Sequence, residues 1–176
     1  LVDNGYVAMD EVDGLVNAFQ QAKGYTSSQM EDLKSGDVER ILPLFLPKEA
    51  NAYAGLIAVA LRTFIRLIDR RIYISDISMT DALPATNQVN QELCGEGGII
   101  DCFSEGCGAL LKTATIFGQE DFAEVDLDAL DAVGEFINCV NGMFSTKLSG
   151  TCNMDMLPPS YKDARSVAKA EKICIL

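Results

Sequence analysis

Between Leu127 and Gly142 apolar residues recur every third or fourth position, and this spacing restricts the segment to a helix with one buried side. At about 100° per residue, Leu130, Val133, Ile137, Val140 and Phe144 fall within roughly 80° of one another. A stripe that coherent has to be covered by another layer. Asp128, Asp131, Glu135 and Asn138 gather on nearly the opposite face, where Glu135 and Asn138, three residues apart, are neighbours. Gly142, one turn on, leaves that face without bulk. The spacing predicts a helix over 127–148. Taken alone, a row of acids and an amide on a helix is a solvated face.

The rest of the chain surrounds this helix with mixed elements. A leader helix is predicted from Met9 to Gln21, ended by Gly24, and a shorter one follows, carrying Met30, Leu33, Val38, Ile41 and Leu42, with a break near Ser35-Gly36. Pro43 and Pro47 bracket a boundary. Residues 1–46 therefore read as a helical N-terminal extension, and 47–176 as the main domain. In the latter, a helix is predicted from Lys48 to Arg70, a strand at Ile72–Ile74, and two strands, Asn87–Cys94 and Ile99–Ser104, around the glycine-rich turn Gly95–Gly98. Helical spacing resumes over Gly106–Ile116 and stops at Gly118, while Ile173–Leu176 reads as a late strand. This order describes an α+β fold with an antiparallel β-sheet packed against long helices.

Composition then removes whole classes of function. The 176 residues carry 26 Asp and Glu against 14 Lys and Arg, a net charge of −12. Neither nucleic acid nor an anionic membrane surface suits such a chain. It contains no His, which removes His-based acid–base and triad catalysis and most catalytic zinc sites. The longest apolar run, Ala52–Leu61, is far shorter than the roughly 20 residues of a membrane span. Leu1-Val2-Asp3-Asn4 shows no basic region before an apolar stretch, so no signal peptide is visible. Six cysteines, without a C-x-x-C pair, read as buried free thiols in a reducing compartment, and the expected location is the cytoplasm.

The segment Asp131-Ala-Val-Gly-Glu135-Phe-Ile-Asn138, followed by Gly142 and then by Pro158-Pro159, resembles the D/S-x-x-x-E-x-x-N signature of the CheC/CheX/FliY phosphatase family. The order of strand, turn, strand, helix, acidic loop and signature helix is similar too, and Asn51-Ala52-Tyr53 is like the opening of that family's first helix. The resemblance covers about 48–176. CheC and FliY carry a second E-x-x-N on the first helix, whereas Glu49-Ala50-Asn51 here has the wrong spacing. A single site is thus implied, as in CheX.

The resemblance implies hydrolysis of the aspartyl phosphate of a CheY-type response regulator. Catalysis would fall to Glu135 and Asn138, and regulator binding to Asp131, Glu135 and Gly142. No cofactor and no metal of its own is implied, because the acceptor Asp, the Mg²⁺ and a cationic Lys belong to the regulator. Asn138 would orient water, Glu135 would meet that Lys, and Asp131 would add charge complementarity. A homodimer through a sheet edge is expected, since the family's sheet normally continues beyond the strand at Ile173. The alternative is a catalytically weak docking or scaffold module of the same fold. A carboxylate metal site at Asp126, Asp128 and Asp131 is a weaker third reading, because the three do not share one helix face tightly.

Overall fold

The computed structural model describes residues 7–83, 87–95, 99–104, 108–148, 154–156, 158–162 and 168–175. The chain divides into two compact units, Leu1–Leu44 and Phe45–Leu176.

In the first unit a 3-10 turn, Met9–Glu11, leads into α1, Val12–Lys23. The helix stops where Gly24 adopts φ +67°, and the Gly24 and Tyr25 N–H groups donate back to the carbonyls of Gln21 and Gln20. Helix α2, Ser27–Lys34, opens on a reciprocal cap. The Gln29 N–H donates to Thr26 Oγ1 at 3.2 Å, and the Thr26 N–H to Gln29 Oε1 at 2.9 Å. After the expected break, Asp37 caps the short α3, Val38–Ile41, by accepting from the Glu39 N–H at 3.0 Å. An Arg40–Asp32 ion pair at 2.6 Å ties α3 to α2.

The second unit departs from expectation at its start. Lys48–Tyr53 is a 3-10 stretch, and α4 spans only Ala54–Leu67, not the full Lys48–Arg70. Asp69 ends it by turning its carboxylate back to the Arg71 N–H at 2.9 Å, a local bond that competes with the helical ladder. Ile72–Ile74 forms no strand, and Tyr73 is 84% exposed. Alternating apolar residues become a strand only beside a partner, and here the partnered segment is β1, Ser78–Leu83. Its partner is β6, Ala168–Ile175, paired antiparallel from Ser78↔Ile175 to Leu83↔Ala168, so the late strand starts well before Ile173.

Strand β2, Asn87–Gly95, is the centre of the other sheet. Along one edge it pairs with β3, Ile99–Ser104, in the antiparallel hairpin register Asn87↔Ser104 to Glu92↔Ile99. The glycine-rich turn between them, at 96–98, lies outside the described residues. The other edge carries two short strands that sequence reading missed, β4 (Met154–Met156) and β5 (Ser160–Lys162), both antiparallel to β2. Pro158-Pro159 separates them, because proline has no N–H to continue a ladder.

Helices α5, Gly108–Gly118, and α6, Leu127–Leu148, complete the α+β arrangement. Val89 of β2 packs with Leu110 and Ala114 of α5 and with Ala129, Val133 and Ile137 of α6. Gly118 was expected simply to stop α5, yet a Cβ there would sit 3.2 Å from Ala132 Cβ, a tight contact that α6 would have to ease away from by a few tenths of an ångström. The positive φ belongs instead to Gln119. Asp126 caps α6 by accepting from the Ala129 N–H at 2.9 Å.

Helix α6 is also buried on a second side. Phe136, 2% exposed, joins Val59 of α4 and Val140, with Phe64 and Phe117 rings at centroid distances of 4.5 and 5.6 Å. Burying such a ring stabilises by about 1.5–3 kcal/mol. The buried arc of α6 runs from Phe136 round to Gly134, roughly 160° at about 100° per residue, twice the stripe read from the sequence.

Candidate functional site

The polar face left over on α6 is consequently narrow, and its residues are not equivalent. Asp131 and Glu135 are exposed, one turn apart and of like charge, which makes this strip of the helix anionic. Gly142 is half-buried, and a Cβ there would make an ordinary 3.7 Å contact with Met156 Cε, so bulk is not sterically barred. Asn138 is also only half-exposed. It lies at the border where α6 meets β2, not at the middle of a solvated face.

Its side chain is held there by a strand residue. Gln91 Nε2 donates to Asn138 Oδ1 at 2.7 Å, while Asn138 Nδ2 makes a weak 3.5 Å bond to Glu135 Oε2. Behind them, Asn141 Nδ2 donates to Gln91 Oε1 at 2.7 Å. Gln91 and Asn141 are 1% and 0% exposed, and Asn141 Oδ1 is buried with no hydrogen-bond partner. Sequence reading brought Glu135 and Asn138 together but missed Gln91 and Asn141. A signal was available. Val89, Gln91 and Leu93 alternate inward along β2, so a polar residue occupies a core position between two apolar ones.

Past Asn138, Leu67, Cys139, Gly142, Met143 and Thr146 line an open apolar depression between α4 and α6. Cys139 is an exposed free thiol, which corrects its reading as a buried one: it lies on the α4 side of the polar strip, outside the buried arc. The side chains of the other five cysteines lie outside the described residues. Asp126, assigned to the weaker metal reading, is occupied as a helix cap, and among the described residues no group of three His, Cys, Asp or Glu is gathered to hold a metal. No helix of the described residues is long and apolar enough to cross a membrane.

Away from the strip, Asp69 joins the end of α4 to α5. Its carboxylate accepts from Lys112 Nζ at 2.6 Å and from Arg71 through both the backbone N–H and Nε. Lys112 first, then Arg71, hold the Asp69 carboxyl well below the usual carboxylate range.

No family model matches the chain, and no curated protein matches it significantly. Solved structures do. The chemotaxis protein CheX of Desulfovibrio desulfuricans superposes with a TM-score of 0.51 at 14% identity, over 70% of this chain and 80% of that one. CheX of Vibrio vulnificus gives 0.49 at 14% identity, over 67% and 78%. A Borrelia burgdorferi CheX, in a complex with CheY, BeF₃ and Mg²⁺, gives 0.41 at 20% identity, over 61% and 73%. Over 70% of its length the chain thus shares the α+β fold of that Desulfovibrio CheX.

Proposed function

We propose that this chain, on its CheX-type fold, accelerates hydrolysis of the aspartyl phosphate of a CheY-type response regulator. The observation that carries the reading is the half-exposed Asn138 amide, held at the rim of an anionic helix strip three residues from exposed Glu135. Phosphoryl transfer asks for little covalent chemistry from a protein and much positioning. With Mg²⁺ and the cationic Lys supplied by the regulator, a phosphatase partner need only place a water in line. Water attacks phosphorus, the bond to the aspartyl oxygen breaks, and the electron pair leaves on the regulator's carboxylate, giving inorganic phosphate.

Asn138 suits the water, since a primary amide both donates and accepts. Glu135 does not suit close approach to a phosphoryl group, because like charges repel. It suits the regulator's Lys, with Asp131 adding to the attraction and Gly142 leaving room for the docked surface. A cytoplasmic setting and a homodimer through a sheet edge belong to the same proposal.

The test is the decay of a purified CheY phosphorylated with acetyl phosphate in Mg²⁺, followed with and without this chain. Faster decay that disappears in Asn138→Ala supports the reading. Unchanged decay, with binding to the regulator intact, would leave the docking-module alternative in its place.

A further inference from the structure

We propose that Gln91 is a positioning residue for Asn138, fixing the amide with its carbonyl toward β2 and its NH₂ outward; this rests on the hydrolytic reading above. The terminal torsion of an asparagine is broad and roughly two-fold, so an untethered Asn138 would present nitrogen or oxygen to the same spot with similar ease. Gln91 Nε2, donating at 2.7 Å, selects the oxygen for the inner position. Gln91 is oriented in turn, because Asn141 Nδ2 donates to its Oε1 at 2.7 Å. Two bonds in series give the chain of amides one polarity, and water at Asn138 meets the outward NH₂ at every encounter, with the carbonyl's second lone pair in a fixed place beside it.

Burial argues that this arrangement is more than packing. Gln91 and Asn141 fill inward positions of β2 and α6 where apolar residues are the usual occupants, and each amide has been stripped of water. Asn141 Oδ1 gains no partner in exchange. Replacing both partners of a buried hydrogen bond by apolar groups of the same shape is often nearly neutral, so stability alone does not call for amides here. Toward the polar strip of α6, Gln91 reaches the Asn138 carbonyl. Asn141, a helical turn from Asn138, grips Gln91 from the same helix, so the three amides move as one with α6 and β2.

Gln91→Met keeps length and volume but cannot donate. In the phosphorylated-CheY assay it is expected to lower kcat roughly tenfold with KM within about twofold, because ground-state docking is untouched. Gln91→Glu supplies the conservative rescue. A protonated carboxyl offers the same donor and acceptor as the amide, whereas the carboxylate offers no donor, and burial raises the pKa of that group. Its kcat relative to wild type is therefore expected to be highest at low pH and to fall as pH rises through the raised pKa. Wild-type kcat in Gln91→Met, or a pH-independent ratio in Gln91→Glu, would overturn the proposal. Should the wild type not accelerate decay at all, the hydrolytic reading fails separately. The Asn138 side-chain NH₂ resonances, identified by their loss in Asn138→Ala, then decide: rigid in wild type and mobile in folded Gln91→Met supports the tether, and equal rigidity in the two refutes it.

Discussion

Two polar ties join elements of the second unit, and they are built from opposite materials. Gln91, Asn138 and Asn141 link β2 to α6 with neutral amides, two of them fully buried. Asp69, Arg71 and Lys112 link the end of α4 to α5 with full charges, and the Lys112 side chain is 52% exposed. A buried amide bond is directional and shielded from salt, while its loss leaves a desolvated group without a partner. An exposed ion pair tolerates reorientation and is screened. The difference teaches where orientation matters: the directional tie lies under the polar strip of α6, and the forgiving one lies away from it.

Breaking the amide tie at its outer end should have the largest functional effect. Asn138→Ala is expected to return regulator dephosphorylation to its spontaneous rate while leaving partner binding nearly intact, since a contact made in the transition state governs turnover. Stability should fall by only about 1 kcal/mol, because water can replace a half-exposed amide. Breaking the same tie at its centre should lower turnover less and move stability more. Gln91→Ala leaves a cavity and a second orphaned group on Asn141, and urea unfolding should show a loss of about 2–4 kcal/mol.

Glu135→Ala sharpens the contrast from the charged side. Regulator binding should weaken several-fold at low salt, with the difference from wild type shrinking as ionic strength rises. The same change at Asp128, on the first turn of α6, should alter neither turnover nor binding. The smallest effect belongs to the ionic tie. Asp69 has a lowered pKa in the folded state, so its contribution is complete above about pH 5 and is lost progressively from the ordinary Asp range down through the lowered folded-state value. Lys112→Ala should flatten this part of the acid-unfolding profile and reduce its salt sensitivity, leaving neutral-pH stability little changed.

Much of this was legible from residue order. The β2–β3 hairpin, the break between α2 and α3, and the bounds of α6 follow from local chemistry: a glycine-rich stretch between two strand-like runs, the Ser35-Gly36 pair, helical spacing sustained over many turns. The short strands β4 and β5 were not, because three residues on either side of a Pro-Pro pair carry no period of their own and are strands only beside β2. Ile72–Ile74 failed for the converse reason: it has the propensity without the neighbour.

At the candidate site the same division holds. Sequence alone determined that Glu135 and Asn138 share one side of α6, because a helix's repeat is set by its own backbone. It also determined that none of these 176 residues brings a histidine there. Only tertiary structure decided that Asn138 lies at a border, tethered to a glutamine 47 residues earlier in the chain. That pairing depends on how β2 lies across α6, a contact between segments distant in sequence, and no local propensity encodes it.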